Sequence, residues 1–188
     1  SRILGLLRDM LLARVIGGGA IMSAWVLAFK IPNTFRRFFG EGAASQALVP
    51  MLGHIIEKEG IHKARNDFGI ILGTLGTVLA TLSILIGLCG ILIAPYFHAE
   101  RVNVALALLP ILMPYTFFIC LTGVCAGILN LFGRFFLPAL NSVILNLAII
   151  VTLLVFWGGN PKILIYRVSW AVLFSGVIQL AAMMFLLK

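Results

Sequence analysis

The stretch FGIILGTLGTVLATLSILIGLCGILIAPYFHA, residues Phe68–Ala99, contains no Asp, Glu, Lys or Arg. As a helix rising 1.5 Å per residue it exceeds the roughly 20 residues that cross about 30 Å of hydrocarbon. Three further charge-free stretches follow it, Val102–Gly133, Phe135–Pro161 and Val168–Leu187. Lipid supplies no hydrogen-bond partners, so each backbone N–H and C=O in such a run needs one inside its own segment, and a helix provides it. The period-2 alternation of a membrane barrel is absent. Over all 188 residues, hydrophobic residues make up 62% and charged residues 11%, with a mean hydropathy of +1.13. A soluble domain carries about 25% charged residues, so this chain would have no polar coat in water. The fold class expected is an all-α polytopic membrane protein.

Outward from that stretch, the breakers divide the chain into six transmembrane helices over residues 1–16, 23–56, 68–97, 104–131, 137–157 and 165–187, a single unit over 1–188. Gly17-Gly18-Gly19 and Gly158-Gly159-Asn160-Pro161 end helices, and Pro110 and Pro114 predict kinks in the fourth span. The second span contains Pro32 and Pro50. The segment EKEGIHKARND, Glu57–Asp67, reads as the one hydrated loop. Gly69, Gly73, Gly76 and Ala80 predict close helix packing in the third span, because lipid gives helices no hydrophobic drive to associate. Cys89, Cys120 and Cys125 all fall in apolar runs and read as small buried hydrophobes, with no disulfide or metal set.

Net charge is +8, but there is no soluble face to carry a nucleic-acid site, and none is expected. Lys and Arg in the loops of polytopic proteins account for such a balance. With the N-terminus inside, inner loops hold Lys58, Lys63, Arg65, Arg134 and Lys188, and outer ones Arg14, Arg101, Lys162 and Arg167, too even a division to set orientation. The chain opens at Ser1 without a methionine and ends at Lys188 directly after an apolar run, as a fragment would.

The first 45 residues depart from the rest. They carry Arg2, Arg8, Asp9, Arg14, Lys30, Arg36, Arg37 and Glu41, six cations against two carboxylates. A charged side chain at the bilayer centre costs roughly 2.5–3.5 kcal/mol on insertion scales. Lys30, Asn33, Arg37, Glu41 and Ser45 follow helical spacing along one face, with Arg36 about 100° away. Arg2 and Arg8 lie about 120° apart, so one cavity takes both only if it is broad or if Gly5 bends the helix. Two readings follow. In one, Arg2, Arg8 and Arg14 snorkel to the interfaces, and Arg37 pairs with Glu41; Arg14 and Lys30 individually are expected near an interface. In the other, they line a hydrated cavity and bind an anion, and the second helix bends at Pro32, Gly40 and Gly42. Arginine's planar fork matches phosphate oxygens and stays charged in any environment, so the anion expected is a phosphate or diphosphate on an amphiphile.

The motifs SRILGLLRDMLLARVIG (Ser1–Gly17), AFKIPNTFRRFFGEGAASQALVP (Ala28–Pro50) and GILNLFGRFFLP (Gly127–Pro138), followed by Leu145-Asn146, resemble the N-terminal portion of the MurJ/MviN family, flippases for lipid-linked peptidoglycan precursor. The resemblance implies one six-helix lobe of a MOP-type transporter, with the second lobe outside this chain. It implies lipid II, an undecaprenyl-diphosphate-linked muropeptide, as substrate, within membrane lipid of the bacterial inner membrane and with the N-terminus cytoplasmic. Substrate-binding residues carried over are Arg2, Arg8 and Arg36, with Ser1, Asn33 and Arg37 beside them and Asp9, Glu41 and Ser23 supporting or gating. Ser23 stands where family members have an acidic residue. A monovalent ion or the membrane potential would drive the cycle, and no cofactor is implied.

Three rival readings remain: another MOP-type exporter of polyprenyl-diphosphate-linked oligosaccharide, a membrane enzyme acting on lipid diphosphates, and a non-transporting assembly subunit. An enzyme would need a nucleophile or an acid–base set. His54, His62 and His98 have no partner at recognisable spacing, so no catalytic residue is assigned.

Overall fold

The structure is a computed structural model that describes residues 2–40, 43–134 and 136–187, without the side chains of residues 39, 40, 43–46, 49 and 137. Ser1, Glu41 and Gly42, three of the expected site and hinge positions, lie outside the described residues. Among the described residues seven α-helices run in chain order: α1 Arg2–Ile16, α2 Ala20–Phe35, α3 Ala43–Glu59, α4 Ile61–Ile93, α5 Glu100–Leu131, α6 Phe136–Val155 and α7 Pro161–Leu186. A π-helical turn, Arg36–Gly40, follows α2, and a 3-10 turn, Ala94–Tyr96, extends α4. No strand occurs among the described residues.

Within the stretch 23–56 α-helical winding ends at Phe35 and the chain widens into the π turn. One expectation is corrected here: Glu57–Asp67 is not a loop. It is helical on both sides of Gly60, the single break, whose φ of 87° takes the left-handed region open to glycine. Charge alone suggested a loop, whereas Glu, Lys, Ala and Arg are all good helix formers. Among the described residues four helical segments are long and apolar enough to cross a membrane: Ile61–Tyr96, Glu100–Leu131, Pro138–Val155 and Pro161–Leu186. At 16 residues, α2 is shorter than the roughly 20 a span needs, and it carries Lys30, with Arg36 and Arg37 in the π turn that follows.

The centre of the bundle is α5, which packs against α2, α3, α4, α7 and the π turn. Its Leu108, Leu112, Met113 and Tyr115 are almost wholly buried. Against α4 the seam is made by small residues. Ser83 Oγ donates to the Met113 carbonyl at 2.9 Å, and Gly76, Gly87 and Gly90 let the backbones close up. Pro110 has no N–H, so the Leu106 carbonyl four residues before it loses its helical donor. That oxygen faces Gly90. The expected packing stripe is therefore shifted: Gly76 belongs to the seam, while Gly69 and Gly73 face open space. On the other side of α5, Gly176 of α7 sits against the ring of Tyr115.

Cys120 and Cys125 are buried in α5, but Cys89 is exposed on α4 and corrects the expectation that all three are buried. The two helix ends far from Arg2 are marked by cations over rings. The Arg14 guanidinium lies 5.6 Å from the Trp157 ring centre and that of Arg167 lies 4.0 Å from Phe156. Such pairing suits arginines at an aromatic membrane boundary.

Candidate functional site

Three helices, α1, α2 and α6, enclose a cavity of about 660 Å³, and helical periodicity decides what faces it. From α1 come Arg2, Gly5, Arg8, Asp9 and Leu12; from α6 come Ser142, Leu145, Asn146 and Ile149. The α2 face recurs every three to four residues, Met22, Trp25, Val26, Phe29, Lys30, Asn33 and Thr34, and the π turn adds Arg36 and Arg37. Chain direction then sorts them by depth. The charged and polar groups sit toward the start of α1 and the end of α2, while Leu12, Met22, Trp25 and Ile149 lie further in. The cavity has a cationic mouth and an apolar interior.

Among the described residues five cations line it, Arg2, Arg8, Lys30, Arg36 and Arg37, against one carboxylate, Asp9. Arg8 is held from two directions. Its Nε and Nη2 donate to Asp9 Oδ1 at 2.9 and 2.7 Å, and its Nη1 donates to Asn146 Oδ1 at 3.0 Å. The Asp9 bond is an ion pair between neighbours in sequence. The Asn146 bond reaches from α1 to a residue of α6 that is only 4% exposed. Arg2, Lys30 and Arg37 are exposed. Like charges this close repel, which leaves the mouth favourable to an anion.

Trp25 stacks on Phe29 at 4.9 Å between ring centres, and Phe29 on Tyr115 at 6.2 Å. This ladder runs from the cavity wall into the core of α5. Pro32 is buried within α2, one turn before the π turn.

The structure brings together Arg2, Arg8, Asp9, Asn33, Arg36 and Arg37 of the residues singled out in the sequence. Arg2 and Arg8 share the cavity, and α1 runs on as helix through Gly5. Lys30 lines the cavity, whereas Arg14 lies at the far end of α1 over Trp157. Ser23 is exposed on α2 and is not among the lining residues. Sequence reasoning assigned no role to Ser142, Asn146 or Thr34. The signal was there for the first two, since polar residues four apart in an apolar span share one face.

The profile of the lipid II flippase MurJ family matches residues 12–188. A probable lipid II flippase MurJ from Buchnera aphidicola subsp. Baizongia pistaciae is 38% identical over 191 residues, covering 96% of this chain and 36% of that protein. A lipid II flippase MurJ from Burkholderia cenocepacia is 36% identical, covering 95% of this chain and 36% of that protein. Among solved structures, a lipid II flippase MurJ in an inward closed conformation superposes with a TM-score of 0.69 at 27% identity, covering 98% of this chain and 39% of that one. The chain spans little more than a third of the length of the relatives it matches.

Proposed function

Since the chain belongs to the lipid II flippase MurJ family, we propose that it forms one wall of a carrier for lipid II across the bacterial inner membrane. The observation that carries this reading is the cavity mouth, where, among the described residues, five cations face a single carboxylate already bonded to Arg8. A diphosphate supplies the missing negative charge, and arginine forks bind its oxygens in pairs. Arg2, Arg36 and Arg37 take the diphosphate with Arg8, and Asn33 donates beside them. The prenyl chain stays in lipid, where its burial needs no protein partner.

In this reading residues 1–188 form one lobe, and the rest of the full-length protein closes the cavity. The buried Pro32 and the π turn after it are the places where the second helical stretch bends as the lobes move. Moving one elementary charge through 100 mV is worth about 2.3 kcal/mol, so a monovalent ion or the membrane potential is enough to bias the cycle. An exporter of organic cations would need carboxylates free to face its cargo, and Asp9, the one carboxylate among the described lining residues, is engaged by Arg8.

The test is translocation of lipid II by the full-length protein in vesicles. Arg8→Ala and Arg36→Ala should each abolish most transport while leaving the amount of inserted protein unchanged. Undiminished transport in both would overturn the assignment.

A further inference from the structure

Arg8 spends three of its five N–H donors inside the protein, two on Asp9 and one on Asn146. The two acceptors differ in kind. Asp9 is the next residue on α1 and its side chain is 61% exposed, so it moves wherever Arg8 moves. Asn146 is almost buried on a different helix, between turns that carry Leu145, Ile149 and Leu153 in the core. A primary amide in such surroundings is costly unless it is hydrogen-bonded, and the bond the structure records for it is the one to Arg8. Asn146 is therefore the fixed point to which the Arg8 guanidinium is referred. Asp9 supplies charge balance but no position.

We propose that Asn146 is a positioning residue that aims Arg8 into the cavity, so that an incoming diphosphate meets a guanidinium already set in place with two N–H groups to spare. This rests on the diphosphate reading of the cavity for its ligand, and on the Arg8–Asn146 bond alone for its geometry. The amide oxygen does the work. A long flexible side chain referenced to a rigid helix loses less freedom on binding, which raises affinity without any new contact to the ligand.

Two measurements on the full-length protein separate the possibilities. The first needs no ligand: phenylglyoxal modifies accessible guanidinium groups, and mass spectrometry follows the rate at Arg8. Asn146→Leu should raise that rate by about fivefold, whereas Asn146→Asp, which keeps an oxygen for Arg8, should not raise it. The second is affinity for undecaprenyl diphosphate in nanodiscs. Asn146→Leu should weaken binding about tenfold and add less than twofold to Arg8→Ala. Asn146→Asp should retain more affinity than Asn146→Leu in spite of its added negative charge. If the Leu variant does not fold, Asn146→Ala takes its place in both.

An unchanged labelling rate in Asn146→Leu overturns the proposal. So does a full tenfold loss on top of Arg8→Ala, or Asp binding no better than Leu, since either would mean a role in packing or direct ligand contact. A wild-type protein that protects Arg8 as described but does not bind the probe overturns the diphosphate reading and leaves the aim of Arg8 intact.

Discussion

The backbone oxygen of Leu106 in α5 stands where a side chain on Gly90 of α4 would have to begin: a Cβ there would lie 2.8 Å from it. The oxygen belongs to the carbonyl that Pro110 deprives of its helical donor, and Gly90 can turn a Cα–H toward it. Proline on one helix and glycine on the next thus form one joint. Gly90→Ala should destabilise the protein by about 1–3 kcal/mol, the usual cost of forcing atoms into a packed seam. Gly69→Ala, on the same helix with nothing within 4 Å, should be neutral or stabilising by up to about 1 kcal/mol. Thermal unfolding in detergent distinguishes them.

Gly176 makes the corresponding contact on the other side of α5. A Cβ at 176 would lie 2.8 Å from Tyr115 Cδ2 and 3.2 Å from Phe118 Cβ. Tyr115 is fully buried and stacked on Phe29, so its ring has little room to turn. Gly176→Ala should therefore cost about 1–3 kcal/mol. Pushing Tyr115 also disturbs the ladder that ends at the cavity wall, so binding of undecaprenyl diphosphate should weaken, which Gly90→Ala should not cause.

Lys30 and Arg37 are exposed cations of the cavity mouth, and Arg14 is a cation outside it. Lys30→Ala and Arg37→Ala should each weaken undecaprenyl diphosphate binding by about three- to tenfold, the lower part of the range for a charge-assisted bond because both groups are solvated. Arg14→Ala should leave that affinity unchanged. Equal losses from all three would point to general surface charge in place of a site.

Ser23 lies on the exposed side of α2, away from the cavity lining. Ser23→Ala should not alter diphosphate affinity. A loss of transport without a loss of binding would assign Ser23 to gating and not to the ligand.

Arg134 donates from Nη1 to the Leu186 carbonyl at 3.0 Å, satisfying one of the orphan acceptors at the end of α7 and placing a cation at its negative pole. Arg134→Ala should lower stability by about 0.5–1 kcal/mol, with hydrogen exchange accelerated in the last turn of α7 first.

The apolar helices were legible because a charge-free run in lipid has one backbone solution, and their ends at Gly17, Gly133 and Gly158 are marked by glycines whose positive φ the sequence signals well. The helical start of α4 was not legible, since Lys63, Asp67 and their neighbours read as hydrated whether wound or not. Nor was the packing face of α4. Gly69 and Gly76 look alike in sequence, and only the position of α5 decides which one is buried. At the cavity, the arginines announced themselves through their cost in an apolar chain. Asn146 shows in sequence only as part of a polar face with Ser142, because its partner Arg8 lies 138 positions away.

The π turn at Arg36–Gly40 has a bearing on how the second helical stretch could be rewound. A π turn holds one residue more than the α-helical turn it replaces, and that surplus can pass along the chain without any helix being unmade. Arg36 and Arg37 are adjacent there, and both line the cavity. Slippage by a single residue would set one arginine where the other had stood, so the cavity wall would shift its register and keep a guanidinium in the same place.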